Sequence, residues 1–232
     1  MPNNRRAFSK GRLNLAEQHF DAEVVLRLLE WWRKNKRDFP WRRTKDPYKI
    51  LVAEVLLRKT DAPKVLAVYE DFLRKYPSIA DLAGADESEL SLLLVPLGLY
   101  NVRAKQLKKL ARDIVEQFDG KIPDNPEKLK SLDGIGDYIA NAIACFAYEK
   151  PLAMVDSNIA RVVSRLYGIK PKSRPHLDRK IRSVAQRLVK LADAKELNLA
   201  ILDFAALVCT VNRPKCPLCP LHQYCSYFRS SQ

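Results

Sequence analysis

Glycine is scarce in this chain, 7 residues in 232, and stretches that alternate apolar with polar residues are few. Both shortages argue against a β-rich fold, which needs a side-chain period of two along its strands and glycine at its tight turns. No run of about 18 apolar residues occurs, so no segment reads as a membrane span. The opening MPNNRRAFSKGR is polar and basic, without the apolar centre of an export signal. Acidic residues are in deficit as well: 27 Asp and Glu face 41 Lys and Arg, a net charge of +14. A field of that sign draws polyanions, and nucleic acid is the leading partner. A generic basic protein would carry the same charge, so the motifs must decide.

What is present is a globular, helical pattern. Hydrophobic residues make up 47% of the chain, enough for a sizeable core in one large domain or two small lobes. Apolar spacing predicts helices over 21–36, 47–57, 61–76, 86–94, 101–118, 126–131, 137–148, 157–167, 177–192 and 196–208. Asp21 is the expected cap of the first, and Pro40 the break that ends its connection. No internal repeat, low-complexity segment or linker separates them. The expected class is all-α, with two lobes packed together.

Four of the five cysteines fall in one short stretch, Cys209-x6-Cys216-x2-Cys219-x5-Cys225. Four soft thiolates can cage one soft inorganic centre. Structural zinc sites usually pair two C-x2-C-like units across a longer gap, whereas only the middle pair here has that spacing. Two disulfides, or four buried apolar residues, are the plainer alternatives. The spacing resembles the iron–sulfur loop of the endonuclease III / MutY family of DNA glycosylases. That resemblance implies a 4Fe-4S cluster held by Cys209, Cys216, Cys219 and Cys225. Cys145, inside Ala142-Ile143-Ala144-Cys145-Phe146, reads as a core residue. Clustered thiols without an export signal point to a reducing, cytoplasmic compartment.

Two further features agree with that family. Leu132-Asp133-Gly134-Ile135-Gly136-Asp137-Tyr138 lies between two helical stretches. Two glycines around one aliphatic residue permit a tight turn that a phosphate can approach, and the following helix offers its positive end. The segment resembles a helix-hairpin-helix DNA-binding element, with Gly134, Ile135 and Gly136 on the backbone of the duplex. Val155-Asp156-Ser157-Asn158 then leads into a helix that Asp156 or Ser157 could cap. The order of hairpin, helix, Val-Asp and cysteine loop is similar to that of the helix-hairpin-helix glycosylase superfamily over residues 31–227. In that superfamily the aspartate is the central catalytic residue. A carboxylate has work there, because breaking a nucleoside C1′–N bond builds positive charge on the sugar.

The resemblance also assigns the surrounding residues. Endonuclease III-like enzymes carry a lysine two positions after the second hairpin glycine, and it forms a Schiff base with the sugar. Tyr138 stands there instead, and a phenol has no amine to offer, so no lyase step is expected. Glu54, in the apolar run 50–57, suits a proton donor with a raised pKa; an ion pair with Arg58 is its structural alternative. The E-V-L-L-x-x-T pattern around it resembles MutY and the archaeal Mig-type thymine glycosylases. Arg58 resembles the Mig-type residue that fills the gap left by an extruded base. Lys59 adjoins it, and Leu99, Tyr100 and Asn101 correspond to a second loop entering the duplex. Trp41 and Asn158 are assigned to the base pocket, and Arg213 and Lys215 to phosphate contacts. Arg42, Arg43 and Lys45 are additional phosphate candidates.

The architecture implied is a six-helix lobe over 41–150 holding the hairpin, and a second lobe of 1–40 and 151–232 holding the cysteine loop. The function implied is a monofunctional, mismatch-specific DNA glycosylase that removes thymine or uracil opposite guanine. Its partner would be double-stranded DNA bound by a monomer in the cytoplasm, at the nucleoid. A MutY-like adenine glycosylase acting opposite 8-oxoguanine is one alternative. The chain ends soon after the cysteine loop, without the extra domain of full-length MutY enzymes, and lacks the paired tyrosines typical of MutY near Tyr100. A non-catalytic, metal-containing DNA-binding protein is the other alternative.

Overall fold

The computed structural model of the protein describes residues 14–171 and 173–230. Among them the regular structure is helical throughout, with no strand. The first thirteen residues of the expected N-terminal segment lie outside the described residues.

Helix α1 (Leu15–Asn35) starts six residues before the position predicted from Asp21. Asn14 and Glu17 form a capping box, each side chain bonding the other's backbone N–H. Asp21 is instead a buried charge, accepting from Tyr167 Oη at 2.6 Å and Arg187 Nε at 2.5 Å. A helical turn at Pro40–Arg42 follows, then α2 (Pro47–Leu56), which Asp46 caps through the N–H groups of Tyr48 and Lys49. Pro47 fits because the first helical position needs no N–H. The chain continues with α3 (Ala62–Lys75), α4 (Ile79–Gly84), α5 (Glu87–Leu94), α6 (Tyr100–Phe118), α7 (Pro126–Lys130) and α8 (Asp137–Phe146). Then come α9 (Ser157–Tyr167), α10 (Arg179–Leu188), α11 (Ala194–Leu207) and the short α12 (Ser226–Arg229). The periodicity did not predict α4, although Ser78 and Asp81 form a capping box at its start.

Helix α2 packs on α8, α4 and α5 pack on α6, and α7 on α8. Helix α1 packs on α11, while α9 meets α10, α11 and α12. Contacts between α8 and α11 connect the two groups. One continuous apolar core runs beneath them all. Cys145 belongs to it, 1% exposed, with the Asn198 amide 3.6 Å from its sulfur. No helix of the described residues is long and apolar enough to cross a membrane.

Candidate active site and DNA-facing surface

Two carboxyl groups and one phenol meet where α2, the start of α8 and the start of α9 come together. Glu54 lies in α2, where eight of ten residues are buried. Its side chain is drawn inward with the apolar face, and the residue is only 5% exposed. Oε2 has no hydrogen-bond partner among the described residues. Burial pushes the carboxyl up to about 7; Arg42 pulls it down, the charge of Asp156 pushes it up, and a hydrogen-bonding contact with Tyr138 pulls it down. The ion pair with Arg58 does not form. Arg58 Nη1 instead donates to Gly134 O, at 3.2 Å.

Asp156 is the N-cap of α9. Its Oδ1 accepts the Ile159 N–H at 2.8 Å, and its Oδ2 accepts Asn158 Nδ2 at 2.7 Å. Capping therefore orients this carboxylate at the mouth of a helix. Tyr138, partly buried in the first turn of α8, faces both carboxyl groups. Burial and the Glu54 and Asp156 charges hold its phenol well above the usual range, so it remains a neutral hydroxyl.

The hairpin sits directly before Tyr138. Gly134 has φ +83°, a conformation other residues adopt at a cost, and its α-carbon faces the Arg58 guanidinium. Gly136 begins α8 without a side-chain cap, which leaves the helix's N-terminal dipole open to an anion. Asp137 would oppose an anion there, but Lys130 at 3.1 Å and Arg182 at 2.8 Å neutralise it.

Residues 52–190 match the HhH-GPD superfamily of base excision DNA repair proteins. The chain belongs to that superfamily. It is 44% identical over 210 residues to the thymine/uracil-DNA glycosylase of Pyrobaculum aerophilum, an overlap of 88% of this chain and 91% of that protein. The thymine-DNA glycosylase of Aeropyrum pernix is 47% identical over 208 residues, 88% and 93% of the two chains. Among solved structures, a thermostable thymine-DNA glycosylase superposes with a TM-score of 0.88 at 36% identity, covering 93% of this chain and 99% of its own. DNA is accordingly the partner of this base excision repair fold.

The HhH-GPD frame presents two loops beside the hairpin. Arg58 and Lys59 follow α2, and Leu99, Tyr100 and Asn101 lead into α6, all five exposed. A cavity of about 160 Å³ lies between them, lined by Arg58, Lys59, Leu99 and Arg103 among others. Arg213 and Lys215 are exposed in the cysteine loop.

Three expectations change in the tertiary structure. Ile135 is 5% exposed, and its N–H is spent on Leu132 O at 3.1 Å. It anchors the hairpin from within and offers neither side chain nor amide to DNA. Trp41 is 6% exposed, stacked on Phe39 with ring centres 4.8 Å apart and edge-on to Tyr69; it is core, not an open pocket wall. Arg42 is consumed by Asp203 and Arg37 O. Asn158 is exposed and bridges Asp156 to Arg161, whose Nη1 donates to Asn158 Oδ1 at 3.1 Å. Arg161 was missed by sequence. It also holds Cys209 O and Ala205 O, each at 3.0 Å, and so fastens α9 to α11 and to the cysteine loop.

All four cysteines of that loop line one small cavity of about 30 Å³. Arg165 Nη1 lies 3.5 Å from the Cys209 sulfur, and the Leu221 N–H lies 3.4 Å from that of Cys219. No group of three or more His, Cys, Asp or Glu among the described residues is gathered to hold a single metal ion.

Proposed function

We propose that this protein is a monofunctional DNA glycosylase that removes thymine or uracil mispaired with guanine. The observation that carries the proposal is the pairing of Glu54 and Asp156 around a tyrosine. One carboxyl is buried, unsatisfied at Oε2 and poised near neutrality, the protonation range of a general acid. The other is held by two N–H donors and lies close enough for its charge to act on the first. Unequal environments separate an acid from a carboxylate.

In the proposed reaction the duplex backbone settles on the hairpin and the first turn of α8. Arg58 and Leu99 enter the stack and the target nucleotide swings into the cleft. Glu54 gives its proton to the departing base. Asp156 stabilises the positive charge that develops on the sugar, directs a water to C1′ and takes the proton the water loses. The bond between C1′ and the base breaks, water supplies the new oxygen, and an abasic site remains. Tyr138 lies in hydrogen-bonding contact with Glu54 and has no amine with which to retain the sugar, so the strand is left uncut. The names of the two archaeal relatives support thymine and uracil as substrates. A single chain suffices for this site, in keeping with a monomer.

The cysteine loop fits an iron–sulfur cluster. Its donors are four thiols around one cavity, with Arg165 and the Leu221 amide directed at sulfur. Such N–H groups stabilise sulfur that carries negative charge. Cys209, Cys216, Cys219 and Cys225 would hold a 4Fe-4S cluster. Bound there, it would cross-link the loop that bears Arg213 and Lys215; hydrolysis itself needs no electron.

The test uses end-labelled duplexes carrying G:T, G:U, adenine opposite 8-oxoguanine, or thymine glycol, each run with and without alkali. Alkali-dependent cutting at G:T and G:U is expected. Cutting only at adenine opposite 8-oxoguanine would move the protein to the MutY-like reading, and alkali-independent cutting at thymine glycol would overturn the role given to Tyr138. Brown colour with stoichiometric iron is expected of the purified protein; a colourless protein with one zinc would overturn the cluster.

A further inference from the structure

The two loops that flank the hairpin are tied to each other by one side chain. Arg103 stands in the first turn of α6, half-buried. Its Nε donates to Gly98 O at 2.9 Å. Its Nη2 donates to Arg58 O at 2.9 Å and to Thr60 Oγ1 at 2.6 Å, and Nη1 reaches Leu56 O at 3.4 Å. One guanidinium thus holds the chain on both sides of the cavity between the loops.

The carbonyls it chooses are informative. Arg58 O belongs to the peptide that enters Lys59, and Gly98 O to the peptide that enters Leu99. Lys59 has φ +54° and Leu99 φ +52°. The left-handed conformation is unfavourable for residues with a β-carbon and persists where the surroundings impose it. Here the same side chain grips the peptide ahead of each strained residue. Beyond those peptides Leu99 projects 69% exposed and Tyr100 41% exposed. Burial and the adjacent Arg58 charge both work against the Arg103 cation, so the arrangement is maintained against electrostatic cost. Only the planar fork of arginine can reach four acceptors on two segments; a lysine is a point donor.

We propose that Arg103 is a positioning residue for nucleotide extrusion. By locking both loops at one spacing it makes Arg58 and Leu99 a single rigid wedge, so that they enter the duplex together. The inference rests on the glycosylase reading above. None of the hydrogen bonds of Arg103 goes to Glu54, Tyr138 or Asp156. Its contribution therefore falls on the step in which a paired base leaves the stack, and bond cleavage in an already unpaired nucleotide proceeds without it.

The experiment compares Arg103→Lys and Thr60→Val with the unaltered protein at saturating enzyme in single turnover. One substrate holds uracil paired with guanine; the other holds the same uracil in an unpaired bubble. A 2-aminopurine beside the target reports unstacking by fluorescence, and thermal unfolding is followed in parallel. Arg103→Lys should slow the paired substrate by about tenfold to a hundredfold, the scale of a misplaced positioning group. It should delay the 2-aminopurine signal equally and leave the bubble substrate within about twofold. Thr60→Val, which removes one acceptor, should show the same selectivity at smaller size. Equal slowing of both substrates, or no slowing of either, overturns the proposal; if Arg103→Lys does not fold, the Thr60→Val comparison decides by the same criterion. A wild type that releases no base from either substrate overturns the glycosylase function instead, and the 2-aminopurine signal then tests the wedge by itself.

Discussion

Asp203 and Glu54 are both buried carboxyl groups, and Arg42 acts on both, yet they are built for opposite ends. Asp203, 0% exposed on α11, accepts from Trp32 Nε1 at 2.9 Å, from the N–H and Nε of Arg37, and from both terminal nitrogens of Arg42. Burial alone would raise its pKa, but the Arg42 and Arg37 bonds prevail and hold it below the usual carboxylate value. Glu54 receives the field of Arg42, whose bonds go to Asp203 and Arg37 O, and a contact from Tyr138, while one oxygen finds no partner. Depth of burial is similar. The supply of donors decides that one group is a permanent anion and the other a proton reservoir.

The largest effect is expected in the cleft. Asp156→Asn keeps the shape of the helix cap and removes the charge, so base release should fall by about a thousandfold. DNA affinity, read by fluorescence anisotropy, should stay within a few-fold. Turnover that survives would show that the cleft does not depend on its carboxylate.

Asp203→Asn breaks the comparison from its stabilising side. It leaves the partly buried Arg37 and Arg42 against a neutral amide and should cost about 3 kcal/mol in denaturant unfolding at pH 8. Because the folded pKa is depressed, the contribution of Asp203 is present above its ordinary value of 3.8 and is lost as pH falls through the folded value. The variant's deficit should therefore shrink in strong acid.

Glu54→Gln is the same chemical change with the opposite expected sign. A folded pKa raised from 4.5 to about 7 means that the folded protein binds the proton more tightly than the unfolded chain. The penalty for Glu54 is absent below pH 4.5, grows up to about 7 and is constant above it. The variant should gain up to about 3 kcal/mol at pH 8 and nothing at pH 4.5, while base release falls by about a hundredfold or more. In the unaltered protein the single-turnover rate should decline above pH 7, about tenfold per unit. A variant that is less stable at pH 8 would contradict the contrast between the two carboxyls.

Asn158→Ala sharpens the picture at the smallest scale. It removes one of the two donors to Asp156 and should cost about 1 kcal/mol of transition-state stabilisation, about fivefold in rate. Thermal stability should barely change, because Asn158 is exposed. A rate equal to that of the unaltered protein would mean that capping alone orients the carboxylate.

Much of this was legible along the chain. Asp46 ahead of Pro47, and Asp156 ahead of Ser157, announce helix starts because capping is a bond to the backbone two or three residues away. The hairpin glycines and the four cysteines are likewise local patterns, and their spacing alone suggests a phosphate turn and a caged centre. Asp21 misled, since its apparent cap position competed with the stronger box at Asn14 and Glu17. Ile135, Trp41 and Arg42 misled for a different reason. Whether such a side chain faces solvent or the core depends on what packs over it.

The sequence by itself determined the helical class, most helix starts, the hairpin and the identity of the chemical groups, because these follow from contacts between near neighbours. Only the tertiary structure decided that Glu54, Tyr138 and Asp156 come close enough to act on one another, that the Arg42 bonds go to Asp203 and not to Glu54, and that Arg103 grips two loops at once. Those outcomes depend on how α2, α6, α8, α9 and α11 pack, and packing decides which distant donors reach a buried acceptor and which acceptor is left without one.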